Sequence, residues 1–167
     1  MSERIAKHIK LALSWGIALC FLVFPMQLVA QDVEEDLQGV AIIAHPDVTA
    51  EQLGRRDLVD LYTLEINKWI DGSLVVLYDL KSNTATKQIF YDYLRQTRRE
   101  LKKIWMRVVL SGEGRAPRAV GSEEELLRKV ANTAGALGYV STHLLTDDVQ
   151  VLGIIGEDGQ FIAATRN

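Results

Sequence analysis

Thr84-Ala85-Thr86-Lys87 is the stretch of the chain whose residue types could do chemistry at close quarters. It sets two hydroxyls and an ammonium within four residues. An apolar run, Leu74 to Tyr78, and a polar turn, Asp79 to Asn83, precede it. Ile89, Phe90, Tyr93 and Leu94 follow at helical spacing. The chemistry of a strand, a turn and a helix start is anion binding. The first N–H groups of a helix have no internal partner, and its dipole is positive at that end. Two readings stand side by side. Thr84 or Asn83 caps the helix, or Thr84, Ala85, Thr86 and Lys87 together cradle an oxyanion.

Other constellations fall short. His45 and His143 are isolated, and no His-x-x-x-His or cysteine spacing suits a metal. No Gly-x-Ser-x-Gly elbow is present. Glu123-Glu124-Glu125 reads as a first helical turn, where carboxylates favour the dipole. Gly112 and Gly114 lack the Lys-Ser/Thr ending of a nucleotide loop. The expectation is a protein that is not an enzyme and uses no cofactor or metal.

The elements around the motif alternate. Val40 to Ala44 is a continuous apolar run, as in a buried strand. Thr49, with Gln52 three residues on, predicts a helix carrying Leu53, Leu58, Leu61 and Tyr62 on one face. Asp71-Gly72 predicts a turn. Arg98 to Leu110 predicts a helix with Leu101, Ile104, Trp105, Val108 and Val109 inward and Arg99, Lys102, Lys103 and Arg107 outward. Arg118 to Val120 reads as a short strand, and Ser122 opens another helix. Ala136 to Val140 reads as a strand, its Gly138 allowing close approach. Val149 to Ile155 and Gln160 to Ala164 bracket a hairpin turn at Glu157-Asp158-Gly159. Strands alternating with helices give an α/β class with a parallel or mixed sheet.

Length and charge bound the rest. The 167 residues suffice for one domain with a core, and the net charge of −3 predicts no nucleic-acid partner. Charge is unevenly placed: Lys81 to Arg118 holds ten Lys/Arg against three acidic residues. Such a run is a solvated face or a field that draws anions toward Thr84. At the N-terminus, Arg4, Lys7 and Lys10 precede an apolar run from Leu11 to Phe24, and Leu28-Val29-Ala30 ends it. That order is a secretory signal peptide over 1–30, cut after Ala30; the alternative is an uncleaved N-terminal membrane anchor. Leu19 before Cys20, the only cysteine, argues against lipidation. Residues 31–38 read as a polar, mobile lead-in and 39–167 as the domain.

Three stretches, in order, resemble phosphate-type periplasmic substrate-binding proteins of ABC importers. Leu53 to Gly72, with Leu58, Leu61, Tyr62, Trp69 and Asp71-Gly72, is similar to that family's Leu…Ile-Phe-x-Gly…Trp-x-Asp-Gly segment. Thr84-Ala85-Thr86-Lys87-Gln88-Ile89-Phe90 resembles its Ser-Gly-Thr-Arg-x-x-Phe, and Thr133 to Val140 its Pro-Gly-Ala-Ile-Gly-Tyr-Val. The resemblance implies a periplasmic-binding-protein-like (PBP-like) α/β domain of the second type, about one lobe, with a mixed sheet flanked by helices. By position, Thr84 and Thr86 take the oxyanion-binding hydroxyl roles and Lys87 the place of the arginine. Ala85 stands where the family has glycine, and lysine lacks arginine's bidentate fork. The family's first lobe has no counterpart in the stretches matched.

The resemblance therefore implies an exported, non-catalytic, solute-binding-like domain in the periplasm. It would take phosphate or a similar small oxyanion for a transport or sensing system. The alternative is a structural or interaction domain that keeps the fold without a ligand. One lobe open to solvent implies weak binding unless a second surface helps: a membrane transporter or sensor, or another copy of the chain. The basic face Arg99 to Arg107 and the loop Ser111 to Arg118 are the expected places for such a contact.

Overall fold

Residues 39–50 and 53–164 are described by the structure, a computed structural model. The signal segment 1–30 and the lead-in 31–38 read from the sequence lie outside the described residues. Asp36–Asn167 form one compact unit.

The apolar run at the start of this unit becomes β1 (Gly39–Ala44), buried on both faces and central in the sheet. The other strands are β2 (Val76–Leu80), β3 (Arg118–Val120), β4 (Ala136–Ser141), β5 (Gln150–Gly156) and β6 (Phe161–Ala163). Their order across the sheet is β3-β2-β4-β1-β5-β6. β2 runs parallel to β3 and β4, and β1 runs antiparallel to β4 and β5. The β5–β6 hairpin stands where the sequence places it. The sheet is therefore mixed, with a parallel half and an antiparallel half.

Four helices flank it: α1 (Arg55–Tyr62), α2 (Ala85–Leu94), α3 (Arg98–Ser111) and α4 (Glu123–Ala131). Successive strand residues face opposite sides of a sheet. On β4, Tyr139 stacks on Phe90 of α2 at 4.2 Å between ring centroids. Its neighbour Gly138 lies under α4, where a Cβ would come within 2.5 Å of Leu126 Cδ2. So α2 and α4 cover opposite faces, and the close approach that Gly138 allows is to a packed helix.

Local signals explain the boundaries, with three corrections. The helix expected from Thr49 begins instead at Arg55: the Asp57 carboxylate accepts from Gly54 N–H at 2.7 Å and caps it there. Asp79, expected in a polar turn, is a buried strand residue of β2. Val109, expected inward, is exposed, because Leu101, Trp105 and the half-buried Ile104 and Val108 already fill the inner arc of α3. Trp105 is anchored by its indole N–H, which donates to Tyr62 O at 2.7 Å. Thr97 and Glu100 close a capping box at the start of α3, and these hydrogen bonds from Thr97 hold the Glu100 carboxyl below its usual range. The turn at Asp71-Gly72 forms as expected, with Gly72 at φ 83°.

Candidate functional site

β3, β2 and β4 are parallel, α2 follows β2 and α4 follows β3. Both helices therefore begin at the carboxyl edge of the parallel strands, the edge at which open α/β sheets bind ligands. Three groups meet there. Thr86 lies in the first turn of α2, Glu123 is the first residue of α4, and Ser141 ends β4.

The Glu123 carboxylate is the centre of this cluster. Thr86 Oγ1 donates to Glu123 Oε1 at 2.6 Å. Ser141 N–H and Ser141 Oγ both reach Glu123 Oε2, at 2.7 and 2.8 Å. Ser141 Oγ also lies 2.8 Å from Thr86 Oγ1, so its single proton has two acceptors in reach. Two hydroxyls and one backbone N–H thus converge on one carboxylate. No lysine or arginine pairs with it among the described residues.

The four motif residues divide. Thr84 is the N-cap of α2; its Oγ1 accepts from Lys87 N–H at 3.2 Å. Ala85 is exposed and Thr86 is buried in the cluster just described. Lys87 turns the other way, into the core, where it is 2% exposed. Its Nζ donates to Asp79 Oδ2 at 2.7 Å and to Leu80 O, and lies 4.9 Å from the centroid of the Tyr91 ring. Capping and the hydroxyl cluster therefore coexist, carried by Thr84 and Thr86 respectively, while Lys87 belongs to a separate buried network.

That network is complete. Asp79 accepts from Tyr139 Oη at 2.7 Å and from Tyr91 Oη at 3.1 Å. Burial, then the Asp79 charge, pushes the Tyr91 and Tyr139 hydroxyls well above the ordinary phenolic range. Tyr62, buried beside them, is raised for the same two reasons in the same order. Tyr91 and Tyr139 stay neutral donors, as a buried carboxylate requires, and Tyr62 Oη donates to Tyr78 O at 2.9 Å.

Asp79, Glu123 and Ser141 carry no sequence pattern that marks them as site residues. Lys87 could have been read as inward, since it shares its helical face with Phe90, Tyr91 and Leu94. Glu123 gives no such signal: its partner Thr86 is 37 residues away. His45 contacts Asp47 at 2.5 Å at the end of β1. Among the described residues no group of three or more His, Cys, Asp or Glu could hold a metal. A cleft of about 270 Å³ lined by Leu64, Ile66, Leu74, Arg115 and Arg118 shares no residue with the Glu123 cluster.

No protein-family profile matches the chain, and no curated protein matches it. Solved structures do. One is a candidate phosphate ABC transporter substrate-binding protein with bound phosphate from Clostridium perfringens, at 19% identity and a TM-score of 0.57, over 68% of this chain and 44% of that one. A second is an ABC-type phosphate transport receptor from Vibrio cholerae, at 18% identity and a TM-score of 0.55, over 68% and 45% of the two chains. A third is a candidate phosphate-binding protein from Planctomyces limnophilus, at 15% identity and a TM-score of 0.53, over 77% and 45%. The fold is that of these proteins, and the chain spans a little under half of their length. The PBP-like α/β fold of about one lobe, with its mixed sheet, is as the sequence implies.

Proposed function

We propose that this chain is an exported, non-catalytic, solute-binding-type domain that takes phosphate or a similar small oxyanion for a transport or sensing system. One observation carries the reading: Thr86 Oγ1, Ser141 Oγ and Ser141 N–H converge on the oxygens of a single anionic group at the carboxyl edge of the parallel strands. The starts of α2 and α4 meet at the same place, so two positive dipole ends add to the three donors. In the ligand-free chain Glu123 holds this seat, and an oxyanion must displace it. Thr84 supports the reading by fixing the first turn of α2. Ala85 leaves the outer side of that turn open. Lys87 acts from beneath, by locking α2 to β2 through Asp79. The fold likeness to phosphate-binding proteins of ABC transport supports the ligand class. The N-terminal order of charge, apolar run and small residue supports export, with residues 1–30 removed. Among the described residues no helix is long and apolar enough to cross a membrane.

A specific observation favours the second reading, a domain that keeps the fold without a ligand. The seat is already filled by the chain's own carboxylate, and the motif's cation is committed to Asp79. One titration separates the two. Phosphate, sulfate and molybdate are each added to wild type and to Glu123→Ala, and the melting temperature is followed. A ligand that binds only the native state raises it by mass action. Binding at the seat predicts a larger rise in Glu123→Ala, where nothing competes, and loss of that rise when Thr86→Val is added. No rise with any anion in either background supports the ligand-free reading.

A further inference from the structure

We propose that the solvent face of α3 is a docking surface for an anionic lipid bilayer. This inference is independent of the oxyanion seat, with which α3 shares no residue.

The helix is amphipathic twice over. Its inner arc packs on the core through Leu101, Ile104 and Trp105, with Val108 half-buried beside them. Its outer arc is not simply polar. Met106 is 65% exposed, Val109 47% and Leu110 81%. Their spacing of i, i+3 and i+4 puts the three side chains side by side. Arg99, Lys102, Lys103 and Arg107 are exposed on the same outer side. The ion pairs among the described residues are His45–Asp47, Arg56–Asp60 and Lys87–Asp79, so none of these four cations is neutralised by one. Glu100 is the single acidic residue of the helix, and its carboxylate is turned back to cap Thr97. Apolar tips ringed by long cationic side chains are what an interfacial helix presents to headgroups and acyl chains.

Two arguments select a bilayer over a protein. The first is area. A helix of 14 residues is about 21 Å long and roughly 10 Å wide, so its exposed face covers on the order of 200 Å², against roughly 800 Å² per partner in a stable protein interface. A bilayer has no such minimum, because each inserted side chain and each cation adds independently. The second is composition. Lys102 and Lys103 sit among the apolar tips, and lysine is depleted in protein interfaces but favoured over anionic headgroups. The chain as a whole is acidic, at −3, so the attraction must come from this local face.

The test uses the compact unit Asp36–Asn167, which contains the whole core described above. Co-sedimentation compares vesicles of phosphatidylcholine with vesicles that also contain phosphatidylglycerol. The expected result is at least about tenfold tighter binding to the anionic vesicles, weakening as salt is raised. The double variant Lys102→Glu/Lys103→Glu should lose about tenfold or more of that affinity. Met106→Ser/Leu110→Ser should also lose it, because the apolar tips no longer insert. Unchanged urea midpoints in both variants show that the fold is intact. Equal binding to the two vesicle types, or either variant binding anionic vesicles like wild type, overturns the proposal. Tighter binding to poly-glutamate than to the vesicles, with the same loss in the variants, also overturns it and assigns the face to an acidic protein.

Discussion

The molecule contains two carboxylates that gather hydroxyls, and they are built differently. Asp79 is enclosed by Tyr91, Tyr139 and Lys87 in the core. Glu123 is held by Thr86 and Ser141 at the carboxyl edge of the strands, half-buried and with no cation paired to it among the described residues. The first carboxylate cannot leave, because its lysine would remain buried and unpaired. On the proposed function the second gives way to another anion, because what faces it is a set of neutral donors. Thr86 and Lys87 are adjacent in sequence yet serve opposite clusters, since a helix turns about 100° per residue. A buried ion pair fastens the scaffold, whereas an uncharged donor set holds its carboxylate by hydrogen bonds alone.

Breaking the core pair should give the largest effect. Lys87→Met leaves Asp79 as a buried charge with no cation, and loss of one partner of such a pair costs about 3–5 kcal/mol. Urea unfolding reads it directly. A cost below about 1 kcal/mol would mean that the pair is hydrated and that the contrast with Glu123 is false.

A smaller loss is expected from Tyr139→Phe. It removes one hydroxyl from Asp79 and leaves the stacked ring in place, for about 1–3 kcal/mol. The same tyrosines set the alkaline limit. Their pKa values are raised in the folded state, so their contribution is full below the unfolded value of 10.0 and falls as pH rises above it. Stability followed by circular dichroism should be flat with respect to these groups near neutrality and decline above pH 10.0. Wild type should decline more steeply there than Tyr139→Phe.

At the seat the effects on stability are smaller still. Thr86→Val removes one donor from a half-buried carboxylate that keeps two others, for about 0.5–1.5 kcal/mol. A loss as large as that of Lys87→Met would show the seat to be a structural lock like the core pair. Smallest of all, Lys102→Ala on the outer side of α3 should change stability by less than about 0.5 kcal/mol.

What the sequence discloses follows the range of the interactions. Periodicity places α3, the apolar run places β1, and hydroxyls at Thr84 and Ser122 place two helix starts, because each signal is local. The PBP-like fold is legible from three motifs in order, Leu53 to Gly72, Thr84 to Phe90 and Thr133 to Val140. The residues at the two carboxylates are less so. Asp79 reads as a turn former because aspartate is rare inside strands, and its burial is made tolerable by Lys87, eight residues on, together with the distant Tyr91 and Tyr139. Glu123 reads as a dipole partner of its own helix. Its role at Thr86 depends on how two helices on opposite faces converge at one edge, which no local pattern encodes.

The position of β1 bears on how the chain reaches this state. β1 lies between β4 and β5, and its partners run from Leu137 to Ser141 and from Gln150 to Gly156. Nearly all of its pairing is thus with residues about a hundred positions later. Loop closure on that scale slows folding, because the chain entropy is lost before the strand contacts can form. During synthesis the central strand has no neighbour until β4 emerges, and its other edge stays open until β5 follows, so the sheet assembles late. A chain cut short before Gln150 would leave β1 with an open apolar edge, the kind of template on which chains aggregate.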